Sequence, residues 1–134
     1  MLKLHVVTPE GQALEQEVDE VTVPGLLGEF GVLPGHVPLL AATKAGVLRY
    51  RKGTERGRLV IGPGFAQADG KDAVVVLVQK ALTPEKLQRE AAEKLLQEAE
   101  ARLQEESDPE EGAKAAATAD RDFAKAQLDA LSAS

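Results

Sequence analysis

Every one of the thirteen valines in this 134-residue chain precedes Thr83, and so do eleven of its twelve glycines. After Pro84 there is neither Val nor Ile, and Ala, Glu, Leu, Gln and Lys dominate. β-Branched side chains suit a pleated, half-buried surface, whereas the second group are strong helix formers. The chain therefore changes class at Leu82-Thr83-Pro84. This predicts an α+β molecule, with an N-terminal antiparallel β-sandwich over residues 1–83 followed by a C-terminal two-helix antiparallel hairpin over residues 84–134.

The first half reads as eight to ten short strands punctuated by turns. Leu2, Leu4 and Val6 alternate with Lys3 and His5, Val21 and Val23 repeat the period in EVTVP, and Leu48 and Tyr50 alternate with Arg49 and Arg51. KGTERG reads as a hairpin turn leading into RLVIG. AVVVLV, residues 73–78, is apolar on both alternating sets and reads as a central strand covered on both faces. In the second half Thr83 is the expected N-cap and Pro84 the expected first helical residue. Leu87, Ala91, Leu95, Ala99 and Leu103 form one stripe, broadened by Leu96. SDPEEG, residues 107–112, ends that helix, and the next carries Ala116, Phe123, Leu128 and Leu131. Alanine-rich faces bury little area at about 25 cal/mol per Å². The hairpin therefore needs a docking surface and is a candidate moving part.

Charge follows the same division. Residues 1–83 carry nine acids and nine bases, and residues 84–134 carry thirteen acids and seven bases, so the net −6 lies wholly in the tail. Such a balance gives no reason to expect a nucleic-acid partner. Absence of cysteine removes disulfides and thiolate metal sites. No apolar run approaches the roughly 20 residues that cross a bilayer. The opening MLKLHVVTPEG has neither signal-peptide nor transit-peptide character, which suggests a bacterial protein working where it is made.

GEFGVLPGHVPLL, residues 28–40, gathers an acid, a histidine and flexible backbone. Glu29 and His36 could form an acid/base pair. A turn explains them as well, with Gly28 and Gly31 permitting positive φ and Pro34-Gly35 bending the chain. No nucleophile context, phosphate-cradling loop or metal-ligand spacing accompanies them, so no catalytic residue, cofactor or metal is expected. His5 reads as a solvent-facing or hydrogen-bonded strand residue. Glu17, Asp19 and Glu20 read as a solvated edge that resists strand pairing. Arg49, Arg51, Lys52, Arg56 and Arg58 surround a hairpin tip, either simply solvated or offered to an acidic partner.

GEFGVLPGHVPLL followed by AGVLR closely resembles the epsilon subunit of F-type ATP synthase, called delta in mitochondria. LKLHVVTPEG, EVDEVTVPG and AVVVLVQKAL fall in that family's order, so the resemblance spans essentially the whole chain. It implies a non-catalytic central-stalk subunit, peripheral to the cytoplasmic face of a bacterial plasma membrane. The sandwich would grip the gamma subunit and sit on the ring of c subunits, with Glu29 and His36 facing the ring's polar loops. The hairpin would fold on the sandwich or extend along gamma toward the alpha/beta catalytic head and inhibit ATP hydrolysis. Some bacterial members bind ATP through Ile/Leu-Asp-x-x-Arg-Ala. The matching stretch here begins Leu87-Gln88-Arg89-Glu90-Ala91, with Gln88 at the aspartate position and Ala91 at the arginine position. Arg89 projects on a different face, so nucleotide binding at Gln88, Arg89 and Ala91 is expected to be weak or absent; the alternative reading is a free-standing nucleotide-sensing regulatory protein whose hairpin clamps ATP. The second helix also closes on LDALSAS, without the basic segment of long inhibitory members.

Overall fold

The period-two patterns become ten strands in the computed structural model, which describes residues 1–35, 37–104 and 111–132. They are β1 (Leu2–Thr8), β2 (Gly11–Val18), β3 (Glu20–Gly25), β4 (Gly28–Val32), β5 (Leu39–Thr43), β6 (Gly46–Lys52), β7 (Glu55–Ile61), β8 (Gly64–Ala68), β9 (Ala73–Val78) and β10 (Ala81–Leu82). A 3-10 turn at Pro84–Lys86 leads to α1 (Arg89–Gln104) and α2 (Glu111–Ser132).

Hydrogen bonds connect the strands in the order β10-β7-β6-β3-β5-β8-β9-β1-β2, with β4 added to β3. The β3–β5 link is the weak point of this path, a single pairing of Gly25 with Thr43. There the sheet turns over, giving one layer of β10, β7, β6, β3 and β4 and a second of β5, β8, β9, β1 and β2. All pairs are antiparallel except β1 with β9. Alternation then decides what lies between the layers: Leu4, Val6, Val74 and Val76 from the second meet Val21, Val23, Leu48, Leu59 and Ile61 from the first, all essentially inaccessible to water. The Asp19 N–H donates to the Arg51 carbonyl at 2.7 Å, tying the β2 end back to β6.

The hairpin lies on the outer face of the first layer. Val47 of β6 and Val60 of β7 point away from the core and meet Phe123, Ala126 and Ala130 of α2, with Leu82, Leu87 and Leu95 at the margin. RLVI is thus the strand covered on both faces, with Leu59 and Ile61 inward and Val60 under the helix. Ala92 and Ala99 of α1 and Ala117 and Ala124 of α2 are also buried, and α1 packs along α2 through these small residues.

Several details differ from the sequence reading. Thr83 has the extended backbone of an N-cap but makes no capping hydrogen bond, and regular helix begins at Arg89. Leu87 consequently sits before α1, and the buried stripe runs through Ala92 and Ala99, leaving Ala91 exposed. On α2, Ala117 is buried and Ala116 is exposed. AVVVLV buries Val74, Val76 and Val78, but Leu77 is 50% exposed, so its outer face is open. Gly28 (φ 131°) and Gly35 (φ 81°) adopt positive φ, whereas Gly31 pairs with Thr22 as ordinary strand. The SDPEEG stretch through residue 110 lies outside the described residues.

Candidate functional site

Folding the sheet into two layers creates two outer faces. The first layer's outer face is divided between the valines beneath α2 and the arginines of the β6–β7 hairpin. The second layer's outer face carries no other element of the described chain across its centre. There the register places Ala42 of β5 beside Phe65 of β8, and Phe65 beside Leu77 of β9. Leu40 and Val75 flank them through Gln67. Leu40, Phe65 and Leu77 are 67%, 55% and 50% exposed. Three large apolar side chains on one sheet face, open to water, have the composition of a docking surface.

A second exposed group stands at the β3–β4 turn. Leu26 and Leu27 project at its tip, and Glu29 follows on β4. Glu29 Oε2 accepts a hydrogen bond from Arg49 Nη1 at 3.2 Å, with both side chains more than half exposed. A surface pair of this kind contributes under about 1 kcal/mol, so Glu29 keeps its availability for another partner. Glu29 and Arg49 also edge a cleft of about 430 Å³ between the sheet and α2, which Asp122, Lys125 and Asp129 border on the helical side. His36 lies outside the described residues. Its neighbours Pro34 and Gly35 form a turn, with the Gly35 N–H donating to the Lys71 carbonyl.

Gln88, Arg89 and Ala91 are all exposed where α1 begins. His5 sits on the outer face of β1, its Nδ1 4.0 Å from Glu15 Oε1. Glu15 in turn accepts from Gln12 Nε2 at 2.9 Å, and this bond is the leading reason its pKa falls below the ordinary value. No cluster of His, Asp and Glu with metal-holding geometry exists among the described residues. The acidic trio is corrected as well. Asp19 and Glu20 face Arg51 at 3.8 and 3.5 Å, and Asp19 Oδ2 accepts the Gly53 N–H at 2.7 Å, so these two acids lock the β2–β3 corner. Only Glu17 occupies the free β2 edge.

The outward face of Leu40, Phe65 and Leu77 escaped the sequence reading, although its signal was present. AVVVLV is apolar on both sets because both of its faces require cover, and one of them has none within the described chain.

Residues 1–84 match the family model described as the ATP synthase delta/epsilon chain, β-sandwich domain. The chain is 46% identical over 104 residues to ATP synthase epsilon chain 2 of Syntrophotalea carbinolica, covering 78% of this chain and 75% of that one. It is 42% identical over 102 residues to the ATP synthase epsilon chain of Geotalea uraniireducens, with 76% and 73% coverage. Among solved structures it resembles a chain of the Euglena gracilis mitochondrial ATP synthase OSCP/F1/c-ring assembly, with a TM-score of 0.79 and 26% identity over 97% of this chain and 81% of that one. A chain of the Tetrahymena thermophila mitochondrial ATP synthase central stalk and c-ring shares the fold, with a TM-score of 0.61 at 13% identity, covering 96% and 95%.

Proposed function

Since this chain belongs to the delta/epsilon family of ATP synthase subunits, an accessory and non-catalytic part of that complex, we propose that its two-layered sandwich couples rotation of the c-subunit ring to the gamma subunit. The observation that carries this reading is the uncovered apolar face of Leu40, Phe65 and Leu77. An isolated chain gains nothing from holding three large apolar groups in water, at about 25 cal/mol per Å². A partner that covers them recovers that free energy, and gamma takes this role. The β3–β4 end, with Leu26, Leu27 and Glu29, meets the polar loops of the c-ring.

The hairpin is the regulatory element. Docked on Val47 and Val60, it leaves the catalytic head free; extended toward the alpha and beta subunits, it slows ATP hydrolysis. The two positions differ by the small interface around Phe123, which is the size of contact a two-state switch requires. No helix among the described residues is long and apolar enough to cross a membrane, which fits attachment through partners at the cytoplasmic face of a bacterial plasma membrane.

Co-purification tests the reading. The chain, expressed with gamma and the c-ring, is expected to remain in the complex through size-exclusion chromatography. Elution as a free chain under the same conditions overturns it. Truncation after Thr83 is expected to retain binding and raise the ATP hydrolysis rate of the assembled enzyme; an unchanged rate removes the braking role.

A further inference from the structure

The outer face of the β6–β7 hairpin bears a charge arrangement that neither the packing of the sandwich nor the rotor role explains. Arg49 is the direct cross-strand partner of Arg58, and Arg51 of Arg56. Side chains in such pairs stand about 4.5–5.5 Å apart at Cβ, and like charges placed directly opposite are destabilising. Successive outward residues on one strand are about 6.8 Å apart, twice the rise per residue. The four arginines therefore spring from a compact square of positions, a grouping of like charge that works against the fold.

The acids nearby neutralise half of it. Glu29 pairs with Arg49 at 3.2 Å, and Asp19 and Glu20 pair with Arg51 at 3.8 and 3.5 Å. Arg56 and Arg58 form no ion pair among the described residues. Arg58 also holds its Nε buried, with no hydrogen-bond partner among the described residues. A buried guanidinium N–H without an acceptor is costly.

The square frames a real concavity. The four arginines line a cleft of about 370 Å³, with Tyr50, Gly57, Glu20 and Thr22 completing it. On the core side of the same hairpin, Gly57 is required because the ring of Tyr50 occupies the position that any side chain at 57 would fill.

We propose that this cleft is a binding site for a small polyanion of linked phosphates, held by Arg56 and Arg58, which form no ion pair among the described residues, and flanked by Arg49 and Arg51. Guanidinium forks match phosphate oxygens two at a time, and a diphosphate spreads its charge over the distance that separates neighbouring arginines here. A free oligophosphate and the phosphate tail of a nucleotide share this chemistry. The site lies on the sheet, apart from Gln88, Arg89 and Ala91 at the start of α1.

Titration calorimetry of the full chain with sodium pyrophosphate, ADP and inorganic phosphate tests the proposal at low and moderate salt. Pyrophosphate is expected to bind saturably, with affinity falling as salt rises, and to raise the melting temperature. The R56Q/R58Q double variant is expected to weaken binding at least about tenfold. Its own melting temperature without ligand is expected to be equal or higher, because opposed like charges are relieved. Lys71→Gln, a charge loss at the β8–β9 turn, serves as the control and is expected to bind normally. Tighter binding of ADP than of pyrophosphate assigns the site to nucleotides, and equal binding assigns it to free oligophosphate; both support a phosphate site. Absence of saturable binding, binding equal in the double variant, or binding of poly-glutamate in place of pyrophosphate overturns the proposal.

Discussion

The two outer faces of the sandwich have the same local grammar and different fates. On one, Val47 and Val60 stand out from strands whose other side chains fill the core, and α2 covers them. On the other, Phe65 and Leu77 stand out in the same way and are half exposed. A strand apolar on both sets states how many faces need cover, but not which molecule supplies it. One cover is intramolecular and small; the other face has no cover within the described chain. The proposed division between a switch and an anchor rests on who covers each face.

The core between the faces sets the scale against which both are measured. Leu59→Ala, removing an inward leucine that is 1% exposed, is expected to cost about 2–5 kcal/mol. Urea denaturation should show it as a lowered midpoint for the entire sandwich. Phe123→Ala is expected to act on one face only. Its loss, up to about 3 kcal/mol locally, is capped by the free energy of hairpin docking, after which α2 simply leaves. Amide exchange in α2 is expected to accelerate while β1, β9 and β7 stay protected. Equal acceleration throughout would show that the hairpin and sandwich form one cooperative unit.

Charges contribute less. Asp120 of α2 receives Arg102 of α1 at 2.8 Å and Lys80 of the sheet at 3.6 Å, and Lys80 also lies 5.7 Å above the Phe123 ring. Asp120→Asn is expected to weaken docking by about 0.5–1 kcal/mol, an effect that shrinks in high salt. The smallest effect belongs to the β8–β9 turn. Asp69 accepts the N–H groups of Lys71 at 2.7 Å and Ala73 at 3.1 Å, which hold its pKa below 3.8. A depressed carboxylate pKa contributes stability above the unfolded value, and that contribution disappears as pH falls through the folded value. Asp69→Asn is therefore expected to be slightly less stable than the parent at neutral pH, and thermal melts of the two should converge below pH 3.8.

Much of this was legible from residue order. Valine and glycine content marked the strands, and alternation at Leu4, Val6, Val21, Val23 and Leu48 gave the inward set. Phases near element ends were not legible. Pro84 suggested a helix start, but a 3-10 turn intervenes, so the helical stripe moved from Ala91 to Ala92. Alanine gives no amphipathic contrast to signal such a shift. Glu20 looked like a solvated edge because pairing of β3 with β6, which brings it to Arg51, depends on how the sheet closes. The uncovered face was hidden for the same reason: the apolar residues at 40, 65 and 77 meet only after β5, β8 and β9 pair.

Binding of the F65E/L77E double variant to gamma tests the division most directly, with thermal melting of the same chain alone as the companion value. Both side chains are half exposed, so the isolated variant is expected to melt within a few degrees of the parent while its retention by gamma is lost. Unimpaired retention by gamma, with the sandwich intact, would contradict the assignment of this face to a partner.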